Sequence, residues 1–264
     1  MQNAAWQDTA TQELLEKAEN ASNSPLTPDA LNEQLRREQK RAQRGKMSSL
    51  YSQQSLSQRE LDKNYSTTPA NQRFYSYVWN DSYGDLLALT AIGLDGQPYF
   101  ANSFLMGFVP FELDNAWQPL ALISMRKTYM FDHDQYGAQY EDVWQNSKQA
   151  YVHSHGDCED HALLLADWLI GLGYDARVAV GETPEGGHAW VVLFLDSQTY
   201  ILEATSKRAP KSINDFLLAS RAITYYPEIQ FNRTQIWENT GSVLTTNYND
   251  KKWVERAEFI RNKP

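Results

Sequence analysis

A single cysteine, Cys158, sits in the run His155-Gly156-Asp157-Cys158-Glu159-Asp160-His161. A lone thiol forms no intramolecular disulfide, so it is inert filler, a metal ligand or a nucleophile. Nucleophilic work requires the thiolate. Leu164, Leu165, Trp168, Leu169 and Leu172 recur on one helical face, and Gly171 and Gly173 mark a stop. Asp157 then takes the N-cap position, with Glu159 and Asp160 in the first turn. A helix start offers Cys158 a partial positive charge and free N–H groups, which suit a thiolate and later an oxyanion. Three neighbouring carboxylates oppose another anion, so they must point away, pair with cations or bind a metal; an imidazolium beside the sulfur would supply the missing stabilisation.

His188 can supply it. It opens a strand-like run over 188–195, after the loop Pro184-Glu185-Gly186-Gly187. A third group must orient the ring, and Glu203 lies near the end of the next strand, read over 199–204. Pairing these strands through Asp196-Ser197-Gln198 sets His188 opposite about residue 206. Glu203 then needs a bulge or a slanted register to reach the ring. With a strand over 176–180, the order is one helix followed by antiparallel hairpins, which defines an α+β domain. The chemistry of such a triad is acyl transfer from an amide: thiolate attack, protonation of the leaving amine, and resolution of the thioester by water or an amine.

The positioning elements belong to a chain of 264 residues, enough for one large domain with an appendage. Residues 1–72 are polar and read as a mainly helical or flexible arm; residues 73–264 form the domain. Within the arm, Thr27-Pro28-Asp29 reads as a helix start. Leu31 and Leu35 follow, then Arg36, Arg37, Lys40, Arg41 and Arg44. A basic amphipathic helix of this kind is a solvated face or a surface for a partner. The stretch 85–92 fits helix or strand by periodicity alone, and 94–99 reads as a turn. Lys plus Arg number 24 against 33 Asp plus Glu, a net charge of −9. That balance argues against a general nucleic-acid binder, which must neutralise phosphates. No run of apolar residues is long enough for a transmembrane helix. Met1–Gln7 carries neither a basic nor an apolar signal region, so no export signal is expected there.

Four segments in order resemble the core of the transglutaminase-like superfamily: Gly156-Asp157-Cys158-Glu159-Asp160-His161-Ala162, Leu172-Gly173-Tyr174-Asp175-Ala176-Arg177-Val178, Gly187-His188-Ala189-Trp190-Val191 and Leu202-Glu203-Ala204-Thr205. The resemblance covers about residues 140–206. It implies a papain/transglutaminase-like core with a catalytic helix packed on an antiparallel sheet. It also implies Cys158 as nucleophile, His188 as base and Glu203 as orienting acid, where most members of the superfamily carry Asp. Glu141-Asp142-Val143-Trp144-Gln145 is similar to the lead-in of bacterial transglutaminase-like cysteine peptidases. By that likeness Trp144 and Gln145 are candidates to support the oxyanion site, although a buried Trp is ordinarily core.

Some of those peptidases hold calcium through acids flanking the cysteine, a pattern that Asp157, Glu159 and Asp160 match. N-capping and the helix dipole account for the same acids, and three neighbours fall short of the ~6–8 oxygens calcium takes. No cofactor is required by the triad itself. Zinc held by His153, His155, Cys158 and His161 matches no structural zinc spacing and leaves His188 and Glu203 without a role. The expected activity is a cysteine peptidase or amidase on a protein or peptide. A protein-glutamine transglutaminase and a non-catalytic binding scaffold of the same fold are the alternatives.

Overall fold

The computed structural model describes residues 54–66, 77–80 and 86–260. The helix start and basic stretch read at 27–44 lie outside the described residues, as do Phe74 and Tyr75. The described elements run β1 (Gln54–Leu56), α1 (Gln58–Ser66), β2 (Tyr77–Asn80), β3 (Leu86–Gly93), β4 (Pro98–Phe100), α2 (Ala101–Phe104) and α3 (Trp117–Arg126). They continue β5 (Thr128–Tyr129), α4 (Asp132–Tyr136), β6 (Val143–Trp144), α5 (Ser147–Val152), β7 (His155–Gly156) and α6 (Cys158–Gly171). After them come β8 (Asp175–Thr183), β9 (Gly186–Leu195), β10 (Gln198–Leu202), β11 (Leu217–Leu218), β12 (Tyr226–Phe231), β13 (Gln235–Asn239) and β14 (Trp253–Phe259).

Eight strands form the main sheet in the order β1-β14-β13-β12-β8-β9-β10-β11, antiparallel throughout except for β1 beside β14. This is the α+β arrangement expected, a helix on an antiparallel sheet. The run 85–92, which periodicity left open, is strand β3. It centres a smaller sheet with β2, β4 and a parallel β6. Its residues are buried on both faces, so the apolar run shows no alternation. The stretch 54–66, read as part of the arm, adds β1 to the sheet edge and sets Leu61 fully into the core.

The central hairpins show why 175–202 folds as it does. Along β9, Ala189, Val191 and Leu193 enter the core shared with α6. Trp190 and Val192 enter a second core with Tyr248 and Trp253 on the other face. Alternation with period two therefore buries Ala189 to Leu193 on both faces of the sheet. The β8–β9 turn is tighter than the sequence suggested, because Thr183 already pairs with Gly186. The β9–β10 turn is two residues, Asp196 and Ser197, both at positive φ (49° and 63°). That is the geometry that matches the twist of paired strands.

Helix α6 is buried nearly all round: Leu163, Leu164, Leu165, Trp168 and Leu169 are each at most 1% exposed. Burying a leucine stabilises by about 1.5–3 kcal/mol, so this helix is held by packing. Gly156, just before it, meets Asp160. A Cβ there would stand 2.6 Å from Asp160 Oδ2, so only glycine fits. Leu165→Ala is expected to lower the unfolding free energy by about 2–5 kcal/mol in denaturant titration, the cost of a core cavity. A loss below about 1 kcal/mol would show that α6 repacks freely.

Candidate active site

Cys158 is the first residue of α6, following Asp157 at the N-cap, as the sequence implied. Asp157 makes no side-chain cap bond, so its carboxylate serves something other than capping. The cysteine is half-buried, and its thiol donates to Glu159 Oε2 at 3.2 Å. His188 lies in β9, with Nε2 2.8 Å from Glu203 Oε2. That pairing leaves Nδ1 for the Cys158 sulfur, whose nearness helps hold the ring in its protonated form. The structure thus brings together Cys158, His188 and Glu203.

The link needs no bulge. β9 and β10 pair Val191 with Leu202 and Leu195 with Gln198. Extended by the same step, the register sets His188 across from Thr205. Glu203 is then the diagonal neighbour on the same face, a separation that long side chains span. The extra methylene of Glu over Asp suits this reach. Thr205 fixes the carboxylate further, its backbone N–H and hydroxyl donating to Oε1 at 3.1 and 2.6 Å. Tyr225, from outside the motif segments, donates its hydroxyl to Oε2 at 3.1 Å. Its ring packs edge-on against Trp190, centroids 5.0 Å apart, and Trp190 stacks with His188. Thr205 and Tyr225 are site residues that sequence reasoning did not single out. Thr205 follows Glu203 by two positions, a local signal that was available; Tyr225 carried none.

The electrostatics favour an imidazolium. Burial pulls His188 down, but its hydrogen bonds to Cys158 and Glu203, with their charges, outweigh that and raise it from 6.5 to about 10. Burial also pushes Glu203 towards its neutral form, yet the bonds from His188 and Thr205 hold it below its ordinary value. His161, one turn along α6, behaves in the opposite way. It is fully buried with neither ring nitrogen partnered, and burial, then Lys127 and Lys207, lower it to about 3. It is neutral at physiological pH. Lys127 donates to the His153 carbonyl and Lys207 to the Lys127 carbonyl. These two bonds tie the 206–211 segment to β5, which pairs with β7 next to the cysteine.

Glu203→Gln keeps the shape and removes the charge. The raised His188 contributes stability that is fully present below about 6.5 and lost as pH rises through about 10. The depressed Glu203 contributes stability present above 4.5 and lost as pH falls through its lowered folded value. The stability gap between wild type and Glu203→Gln should therefore be widest between those limits and shrink on either side. Denaturant titrations across pH check this. A gap independent of pH would mean the pair carries no charge. Turnover should fall in Glu203→Gln and survive better in Glu203→Asp.

Asp157, Glu159 and Asp160 do not stand alone. Asp132, from α4, and Asp142, just before β6, converge on them. Asp132, Asp142 and Glu159 form one group of carboxylates and Asp132, Asp157 and Asp160 a second, with the oxygens of each group within 4.8 Å of one another. Asp132, Asp157, Glu159 and Asp160 are buried, and Asp132 Oδ1, Asp157 Oδ1 and Asp160 Oδ2 have no hydrogen-bond partner. Burial foremost, then mutual repulsion, raises Asp132 to about 7 and Asp157 to about 6, and pushes Glu159 and Asp160 well up. Orphaned buried oxygens in an all-carboxylate set fit a hard cation such as calcium. No histidine or cysteine belongs to a metal-capable group among the described residues, so the zinc reading finds no site.

Trp144 and Gln145 build the wall behind this cluster. The Trp144 indole donates to Asp142 at 2.7 Å and packs against Phe104 and Phe231. The Gln145 backbone N–H donates to Asp160 at 2.7 Å, and its side-chain amide donates to Tyr136 and the His155 carbonyl. Neither bonds to Cys158 or His188 among the described residues.

The site thus sets a thiol at a helix start beside an imidazole that is itself bonded to a carboxylate. Residues 142–252 match a family model described as the CEP76 peptidase-like domain. The chain is 35% identical to Centrosomal protein of 76 kDa from Mus musculus over 86 residues, 28% of this chain and 13% of that protein. It is 40% identical to the Homo sapiens protein of the same name over 57 residues, 21% of this chain and 9% of that protein. The chain thus spans only a small part of these relatives. Among solved structures, calcium-bound Legionella pneumophila LapG aligns with TM-score 0.40 and 18% identity, over 57% of this chain and 82% of that one. The EGTA-treated form aligns with TM-score 0.38 and 19% identity, over 52% of this chain and 72% of that one.

Proposed function

We propose that the protein is a thiol-dependent acyl-transfer enzyme, acting as a cysteine peptidase or amidase on a protein or peptide. The carrying observation is His188 held between Cys158 and Glu203. In this reading His188 takes the thiol proton on Nδ1, and the Cys158 thiolate attacks the amide carbonyl carbon. The oxyanion is met by the backbone N–H groups that open α6. The imidazolium then protonates the leaving amine as the C–N bond breaks, giving a thioester on Sγ. Water, deprotonated by His188, attacks the thioester, releasing the carboxylate and restoring the thiol. Glu203, pinned by Thr205 and Tyr225, keeps Nε2 engaged and steadies the positive ring throughout.

The same reading gives the acid cluster to calcium, held by Asp132, Asp142, Asp157, Glu159 and Asp160. A bound calcium supplies positive charge where buried carboxylates crowd. Glu159 faces the sulfur at 3.2 Å. An ionised Glu159 repels the thiolate and competes for the thiol proton; engaged elsewhere, it leaves that proton to His188.

The reading is tested by incubating the protein with a mixture of peptides of defined sequence and locating new termini by mass spectrometry. New carboxyl termini made by wild type alone, and not by Cys158→Ala, are expected. Incorporation of an added primary amine without cleavage would replace hydrolysis by transamidation. Formation of neither product would overturn the enzymatic reading.

A further inference from the structure

Beside the triad the chain opens a cleft of about 880 Å³, and Glu203 is part of its wall. Its apolar floor is Leu120, Ile201 and Phe216. Around the floor stand three cations, Arg208, Lys211 and Arg221, all exposed at their side chains. None of the three side chains has a hydrogen-bond or ion-pair partner among the described residues. Asp215 stands among them, its Oδ2 held by the backbone N–H groups of Lys211 and Ser212 at 2.7 and 3.1 Å. Glu203 spends its charge on His188, 2.8 Å away. The three cations outnumber the two acids of the lining, Glu203 and Asp215, so the cleft is net positive in a chain of net charge −9.

Resting on the function proposed above, we infer that this cleft selects the substrate: it takes an extended peptide segment carrying Asp or Glu side chains next to the amide that is cleaved. Three observations carry this. The cleft shares Glu203 with the triad, so an occupant lies within one side chain of His188. Leu120, Ile201 and Phe216 give apolar surface for the side chains of a peptide, and Ser206 and Asn214 give polar groups that its backbone can meet. The cations line the rim, where they meet side chains of a seated peptide without being desolvated. The segment bearing Arg208 and Lys211 is tethered through Lys207 to the carbonyl of Lys127, so the rim is fixed relative to the nucleophile.

The test uses the 264-residue chain carrying Cys158→Ala, so that binding is read without turnover. Two fluorescein-labelled ten-residue peptides of Gly, Ala and Ser are compared by anisotropy, one with four Glu and one with four Gln. The Glu peptide should bind about 10-fold more tightly, as expected from three exposed ion pairs, and lose that advantage as salt rises. Reversing the rim (Arg208→Glu, Lys211→Glu and Arg221→Glu together) should abolish or invert the preference. The milder Arg221→Gln should weaken it while leaving the melting curve in place. Equal binding of the two peptides, or a preference that survives reversal of all three cations, would overturn the cleft assignment. The two proposals fail separately: wild type that cleaves peptides without favouring acidic ones sinks the cleft alone. Rim-dependent binding of the Glu peptide, with no cleavage by wild type of any peptide, sinks the enzymatic reading and leaves the cleft as an acidic-peptide site.

Discussion

Cys158→Ala is expected to reduce amide hydrolysis at least about 10³-fold while leaving the melting temperature within a few degrees of wild type. The two halves of this expectation have separate causes. Activity fails because alanine offers no atom that can form the thioester. No partial substitute exists nearby, since Cys158 is the chain's one cysteine. Stability holds because the thiol is half-buried and donates its hydrogen bond to Glu159. Removing a proton donor from a crowd of carboxylates leaves little to lose; substitutions of this kind shift stability by about 1 kcal/mol or less. His188→Ala should match the loss of turnover and add a cost in stability, since it leaves the half-buried Glu203 beside Tyr225 without its cation. Hydrolysis retained in Cys158→Ala would remove the cysteine from the mechanism altogether.

The second large effect concerns the acid cluster. Protein stripped with a chelator should melt lower than protein given calcium. At a free concentration 100-fold above the dissociation constant the gain is about 2.7 kcal/mol, or roughly 5–10 °C for a domain of this size. Asp132→Asn is the informative variant. Asp132 lies on α4, remote in sequence from the cysteine, and belongs to both carboxylate groups. In Asp132→Asn the calcium-dependent shift should vanish, and turnover should become insensitive to chelator because it is already low. Magnesium, which demands tighter octahedral geometry and gives up water reluctantly, should substitute poorly. A melting temperature indifferent to calcium in wild type, or a shift of equal size in Asp132→Asn, would leave the acids as protonated, hydrogen-bonding partners of one another instead.

The parts of this site that could be read in the sequence are those whose pattern is local. The glycine-bounded apolar face of α6 and the short apolar runs of β8, β9 and β10, closed by turn residues, are each set by neighbours within a few residues, so they survive in the one-dimensional string. Cys158, His188 and Glu203 could be picked out because each lies at a fixed point of such an element. Asp132, Asp142 and Tyr225 could not. Their neighbours in the fold are distant in the chain, and an exposed acid and a buried one look alike in sequence. The register of β9 against β10 was read one step too wide, because Gln198 was assigned to the turn and not to the strand. The strands β12 to β14 escaped notice for another reason: two of their ladders carry register shifts, at Pro227/Ile229 and at Ile236/Trp237, which break the alternation.

The two-residue turn at Asp196 and Ser197 has a meaning for how this chain can change over generations. It sets which residues of β10 stand beside which residues of β9, and the ring of His188 meets Glu203 only in that alignment. One residue gained or lost there would turn Glu203 to the opposite side of the sheet, swapping it with the side chain of a buried neighbour. Substitutions at the turn are tolerable; changes of length are not. Lineages that keep the chemistry are therefore expected to conserve the count of residues between His188 and Glu203 more strictly than their identity. A chain in which that count has drifted has given up the triad even where all three of its residue types remain.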